Sequence, residues 1–289
     1  FLGGRGAGMD RCVECLRHSM SGFSAEWLAL RDAADRRARA PALVTALQRR
    51  LSKTRRRKGP LRVVDLGAGT GSTLRLLSSP MPEPQHWTLV DNDAALLASI
   101  AGRQASRRIV VEAVHADLAD RSLLTRLLRR ADLVTASALM DLVSEGWCRT
   151  LVSVAARSGA VLYAALTYDG RIVFEPSDPM DGTVRTLFNR HQRRDKGFGP
   201  ALGPEATRTL ARLSAAAGAA LQTERSDWRL GPGDLPLLGP LLDGWAAAAR
   251  ETAPDRQDPI AAWQARRRAL LEGRRLRVRV GHRDVLAWW

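Results

Sequence analysis

The sequence predicts an α/β fold with a mostly parallel sheet and helices on both faces. Short β-branched runs alternate with helical segments between residues 61 and 166. Such alternation implies βαβ units joined by right-handed crossovers. The first run ends in a glycine-rich string, Gly67-Ala68-Gly69-Thr70-Gly71, placed where a helix begins. The chain has 289 residues, 45% hydrophobic and 26% charged. That is ordinary globular usage and enough to bury a core, which excludes a disordered or coiled-coil protein.

Residues 1–22 hold five glycines and no periodicity, and read as a flexible tail. Cys12 and Cys15 form a CxxC followed by His18. A structural zinc site needs four ligands and no second CxxC exists, so these read as thiols of the tail. With three cysteines in all there is no disulfide framework, and a cytoplasmic location is expected. No charged-then-apolar leader and no stretch near 20 apolar residues is found, so neither export nor a membrane partner is expected.

Residues 23–58 read as an N-terminal helical cap. Trp27, Leu28, Leu30, Leu43, Leu47 and Leu51 recur at helical spacing, and Pro41 separates two segments. A basic stretch at 52–60 reads as a linker. The main domain then spans 59–289, with insertions at 168–203 and 231–272. Strands are predicted at 61–66, 87–90, 109–114, 133–135 and 160–166. Helices are predicted at 72–79, 93–103, 120–130 and 142–156. Beyond 167 the pattern breaks into a short strand, a polar helix and a Gly/Pro-rich loop over 171–200. Helix 204–217 and strand 219–228 resume it. Two helices over 233–271 carry Trp245 and Trp263 in their apolar faces, and a last strand is predicted at 275–286.

The net charge is +15, yet only Lys53, Lys58 and Lys196 of the 45 basic residues are lysines. Arginine-rich surfaces of this kind read first as solvated faces and second as a nucleic-acid footprint. Two clusters stand out, at 49–58 and at 266–279.

The glycine string carries the sharpest chemistry. Gly67 allows a tight turn, while Gly69 and Gly71 let a ligand lie against the backbone. Dinucleotide folds want GxGxxG for a pyrophosphate, and here the pattern is GxGxG with Ser72 at the last position. Asp65 precedes it, a carboxylate that repels phosphate and can pair with an ammonium. No GK[ST] follows, so a P-loop is excluded.

Asp65-Leu66-Gly67-Ala68-Gly69-Thr70-Gly71 resembles the first motif of the class I S-adenosyl-L-methionine (SAM) methyltransferases. The resemblance covers about residues 61–166. It implies a Rossmann-like, seven-stranded sheet with an antiparallel last strand, SAM as cofactor and S-adenosyl-L-homocysteine as product. It places Asp65, Gly67, Ala68, Gly69 and Gly71 around the cofactor. Asp91, with Asn92, ends the second strand, where an acid binds the ribose hydroxyls. Asp93 reads as a helix cap. Asp117 and Leu118 follow the third strand, at the adenine. Ala136 and Ser137 follow the fourth, beside the methionine part.

Candidate acceptor residues lie above the strand ends. His191 is a candidate general base, Arg190 and Lys196 candidate anion anchors, and Gly197 and Gly199 candidate hinges of a lid. Tyr168 and Asp169, expected just after the fifth strand, and Asp141 are further candidates. Trp147 is a weaker candidate whose alternative is core packing; Trp228 reads as core, and His282 as a satisfied polar residue. No Asn/Asp-Pro-Pro-Tyr string, Pro-Cys pair or metal-ligand cluster is present. The expected function is therefore methyl transfer to a small-molecule acceptor, at oxygen or nitrogen rather than carbon. Two alternatives stand beside it: an rRNA or tRNA methyltransferase using the basic surface, and a non-catalytic SAM-binding scaffold. The chain is expected to be a monomer or homodimer.

Overall fold

The structure is a computed structural model that describes residues 24–54, 59–101 and 108–289. The expected tail, its CxxC, and Arg55 to Lys58 of the basic linker lie outside the described residues.

Eight strands form one sheet: β1 (Leu61–Leu66), β2 (Gln85–Asp91), β3 (Ile109–His115), β4 (Leu133–Ser137), β5 (Val161–Glu175), β6 (Ala220–Arg225), β7 (Trp228–Leu230) and β8 (Arg277–Trp288). Their order is β3-β2-β1-β4-β5-β8-β6, with β7 paired to β8. β1 to β5 run parallel, and β8 is antiparallel to β5, β6 and β7. The expected antiparallel last strand is present. The count is eight rather than seven, because the run expected at 219–228 breaks at Ser226 and Asp227. The Ser226 N–H donates to the His282 carbonyl and Asp227 accepts from the His282 N–H, so a separate short β7 follows.

β1 shows why the sheet is covered on both sides. Val64 and Leu66 pack with Trp147 and Leu151, while Leu61 and Val63 pack with Leu43, Leu47 and Trp87. Alternate side chains of a strand face opposite ways, so an unbroken apolar run needs a layer on each face. One layer comes from α6 (Glu145–Ser158) and α8 (Ala206–Ala216). The other includes α2 (Pro41–Thr54), α3 (Ser72–Leu77) and α4 (Ala94–Ala101). Helix α5 (Arg121–Leu128) lies beside α6.

Helix α1 (Ala25–Ala38) starts at Ser24, whose Oγ accepts from the Trp27 N–H. It ends before Pro41, which opens α2 at the position where a missing N–H costs nothing. Three further helices, α7 (Asp181–His191), α9 (Leu235–Thr252) and α10 (Gln257–Glu272), cover the outer half of β5 and β8. Phe174, Trp245 and Trp263 pack edge to face there.

β5 runs past its expected end at 166 to Glu175, which pairs with Arg277. Tyr168 and Asp169 are thus inside the strand, not after it, and the short strand expected beyond 171 is its continuation. Register shifts after Ala164 and Tyr168 absorb the irregularity, and Gly170 adopts φ +88°. An Asp-Gly pair reads as a turn; a β-bulge uses the same freedom without ending the strand.

Candidate cofactor and acceptor site

Register brings the chemistry to one edge. Leu66 lies opposite both Val90 and Ala136, and Ser137 opposite Ala165. The carboxyl ends of β1, β2 and β4 therefore align beside Ala165 in the middle of β5, and Asp65, Asp91 and Ser137 come together from distant parts of the chain.

The glycine loop turns back at the end of β1. Gly67, Gly69 and Gly71 all have left-handed φ, at +67°, +52° and +77°, a conformation costly for residues with a Cβ. Leu28 of α1 lies 3.1 Å from where a Cβ on Gly69 would stand. Ala68 is buried. Helix α1 thus crosses the loop, and Arg75 ties the two together by donating to the Thr70 carbonyl and pairing with Asp32.

Asp65 is 1% exposed. Its Oδ1 accepts from the Thr135 hydroxyl at 2.6 Å, while its Oδ2 has no partner among the described residues. Burial without full hydrogen bonding pushes its carboxyl up to about 7. The positive charge of Arg39 acts against that shift. Arg39 is 6% exposed, and its Nη2 donates to the Ser137 hydroxyl at 2.8 Å. Its Nη1 is buried with no partner among the described residues. The α1–α2 corner that holds it is fixed by Asp284 of β8. That carboxylate accepts from the Ala40 N–H, the Tyr163 hydroxyl and the Leu166 N–H. Ala138 and Leu166 beside it are non-glycine residues with φ +52°, strain of the kind that gathers at functional sites.

Asp91 ends β2. Its Oδ2 accepts from the Gly69 N–H at 2.7 Å and its Oδ1 from the Asp93 N–H at 3.0 Å. A carboxylate has about four acceptor positions, so each oxygen keeps one free. Asn92 offers its carbonyl to His115 Nε2. Asp93 caps α4 as expected, accepting from the Ala95 and Leu96 N–H groups. Asp117 is exposed and accepts from the Ala119 N–H. Leu118 is buried and its carbonyl accepts from the Trp147 indole. Trp147, a weaker acceptor-side candidate from sequence, is instead buried in the core.

On the acceptor side, Asp141 follows β4. Its Oδ1 is buried without a partner among the described residues, and burial pushes the carboxyl up to about 6 despite the nearby charges of Arg31 and Lys196. The Tyr168 hydroxyl donates to Asn189 Oδ1 at 2.7 Å, and burial drives that hydroxyl above its ordinary range. Lys196 is partly buried, which lowers its ammonium. Its charge reaches both Asp141 and His191. His191 ends α7 with Nε2 3.1 Å from Glu251; burial and Lys196 lower its imidazole. Asp169 is held by Arg171, which also bridges to Asp227. Arg190 is exposed. The Gly197–Gly199 loop is braced: Asp195 accepts from both glycine N–H groups, and Phe198 packs edge-on against Trp147. Trp228 and His282 are buried against one another, and burial drives His282 down to about 3.

Sequence reasoning missed Arg39, Leu28 and Asp284. Periodicity marks residues that face a core, and Arg39 does not. The available signal was its place beside Pro41, where the cap had to turn.

No residue group suited to holding a metal occurs among the described residues, and no helix there is long and apolar enough to cross a membrane. No family model and no curated protein matches the chain. Among solved structures it is similar to the cyclopropane synthase MmaA2 from Mycobacterium tuberculosis, with 13% identity, 86% and 83% of the two chains covered, and TM-score 0.45. It is similar to the YcgJ protein from Bacillus subtilis, with 14% identity, 86% and 97% covered, and TM-score 0.46. It is also similar to phosphoethanolamine N-methyltransferase 2 from Haemonchus contortus in complex with SAM, with 14% identity, 86% and 52% covered, and TM-score 0.41.

Proposed function

We propose that this chain is a SAM-dependent methyltransferase acting on a small-molecule acceptor. One observation carries the reading. Beside a GxGxG loop, a buried carboxylate and a buried guanidinium each keep an atom without a partner among the described residues, Asp65 Oδ2 and Arg39 Nη1. Buried charged groups left unsatisfied are costly, and their partners are to be sought in a ligand. A ligand with an ammonium and a carboxylate on one carbon satisfies both. The amino-acid end of SAM has those groups, and its ribose diol suits the free acceptor positions of Asp91.

On this reading Asp65 takes the ammonium, Arg39 the carboxylate and Asp91 with Asn92 the ribose. Gly67, Ala68, Gly69 and Gly71 supply close backbone. Asp117 and Leu118 frame the adenine, and Ala136 and Ser137 flank the methionine chain. SAM supplies a methyl on a sulfonium, transferred by in-line displacement to leave S-adenosyl-L-homocysteine; the protein contributes orientation and electrostatics. Asp141, near its midpoint close to neutrality, is suited to take a proton from an oxygen or nitrogen acceptor. Tyr168 positions that acceptor, and Lys196 and Asp169 set the charge around it. His191, held by Glu251, is the second candidate base.

The arginine ion pairs favour a small acceptor over RNA. Arg266, Arg267 and Arg268 of the C-terminal basic cluster pair with Asp178, Asp181 and Asp243, which withdraws them from a phosphate footprint.

Calorimetric titration of SAM and of S-adenosyl-L-homocysteine into the wild type and Asp91→Ala tests the reading. Binding near micromolar, weakened at least tenfold in the variant, is expected. Failure of both ligands to bind the wild type would overturn it.

A further inference from the structure

The α1–α2 corner and the outer strands enclose a cavity of about 440 Å³. Its walls carry Arg37 and Arg39 from the corner, and Arg225, Arg229 and Arg279 from β6, β7 and β8. One acid, Asp227, lines it too. That acid is engaged, since its two oxygens hold the Arg171 guanidinium and Oδ1 also accepts from the His282 N–H. Arg37 is held by Asp234. Arg225, Arg229 and Arg279 have no ion-pair partner among the described residues.

The ladder makes this arrangement unfavourable as it stands. Arg229 lies directly opposite Arg279 across β7 and β8. Arg225 lies directly opposite Arg283 across β6 and β8, and Arg283 in turn is paired with Asp169 at 3.7 Å. Like charges facing each other across an antiparallel pair destabilise it, because their Cβ atoms stand only about 5 Å apart. Elsewhere the fold places acids beside its arginines: Arg171 sits between Asp169 and Asp227, and Arg267 is seated on Asp181. At this cavity Arg225, Arg229 and Arg279 share a wall whose acid, Asp227, is held by Arg171 and reached by the charge of Arg225 without an ion pair to it.

We propose that the cavity is an anion site that seats a phosphoryl group of a small ligand. Guanidinium forks match phosphate oxygens in pairs, and several uncompensated cations favour a dianion over a monocarboxylate. The volume lies in the lower part of the range for small-molecule pockets, roughly 300–1,000 Å³. Arg39 forms part of the wall and also reaches Ser137 at the end of β4. The cavity therefore adjoins the proposed methyl-transfer site, and its ligand is the phosphorylated end of the acceptor. Identifying the ligand as the acceptor rests on the methyltransferase reading; the anion site itself does not.

Titration of inorganic pyrophosphate into the full chain at fixed ionic strength tests the site. The proteins are the wild type, Arg229→Gln, Arg279→Gln and a control of equal charge change, Arg130→Gln, at an exposed position outside the cavity. Saturable binding to the wild type is expected, weakened roughly tenfold in each cavity variant and unchanged in the control. Affinity for S-adenosyl-L-homocysteine should be equal in all four, which also reports that each is folded. Absence of pyrophosphate binding, or equal weakening by the control, would overturn the site. So would binding of a 20-nucleotide single-stranded RNA, lost in the cavity variants, by a wild type that ignores pyrophosphate. Pyrophosphate binding without any binding of S-adenosyl-L-homocysteine would keep the anion site and remove its assignment to an acceptor.

Discussion

Burial pushes the Asp65 carboxyl up to about 7, and the hydroxyl of Thr135 that donates to it offsets only part of that shift. An unfolded aspartate releases its proton near pH 4. Between those values the folded chain binds more protons than the unfolded one, so this group's contribution to stability falls as pH rises. Asp141, at about 6, acts in the same direction. His282, driven down to about 3, acts oppositely between pH 3 and 6.5. Asp65→Asn removes only the first effect, so its Tm relative to wild type should rise from pH 5 to pH 8 in thermal denaturation. An ammonium beside Asp65 favours the carboxylate form. SAM affinity should therefore climb by up to about tenfold per pH unit below 7 and then level off, and Asp65→Asn should flatten the profile. Arg39→Met should weaken SAM about ten- to a hundredfold and leave 5′-methylthioadenosine, which lacks the amino-acid group, unaffected. Equal loss of both would show that Arg39 only supports the fold. Gly69→Ala combines left-handed strain with Leu28 at 3.1 Å. A loss of about 1–2 kcal/mol in chemical denaturation is expected.

Elements differ in how plainly the sequence announces them. Leu43, Leu47 and Leu51 recur every four residues, and α2 buries that stripe on the sheet. Helix α1 has no such stripe. It is held by Leu28 on the glycine loop, Asp32 on Arg75 and Asp35 on the Trp228 indole, contacts that follow no period. β1, β2 and β4 end where their apolar runs meet Gly67, Asp91 and Ser137, which is why the cofactor-side candidates stand at aligned strand ends. β5 was misjudged because its continuation depends on β8, over a hundred residues later. The acceptor side inherits that difficulty: Tyr168 meets Asn189 only through the fold. Asp284→Ala would leave three donors without an acceptor, at about 3 kcal/mol or more in total. A fall in Tm of roughly 5–10 °C is expected by calorimetry, with weaker SAM binding because Arg39 loses its mooring.

At the scale of the molecule, the charge of +15 is what remains once 30 acids are set against 45 bases, and the ion pairs decide where that excess sits. Arg31, Arg171, Arg266, Arg267 and Arg268 are paired with acids. Single-stranded RNA binding at physiological salt should accordingly be weak, on the order of 10⁻⁴ to 10⁻⁶ M as for non-specific contacts. A filter-binding affinity far tighter than that would return the RNA reading to first place. Charge totals are legible in composition; which arginines the acids engage belongs to tertiary structure. The site has one further property of scale. Ala40, which precedes the helix carrying the sheet-facing leucines, donates to Asp284 in the last strand, 244 residues away. Arg39 is therefore set in place by a residue far along the chain. A chain interrupted between Asp91 and Asp284 would contain the glycine loop, Asp65 and Asp91, yet no fixed guanidinium to face them. The pocket closes only when both ends of the described chain have met, so a nascent or truncated chain holds the motif without the clasp.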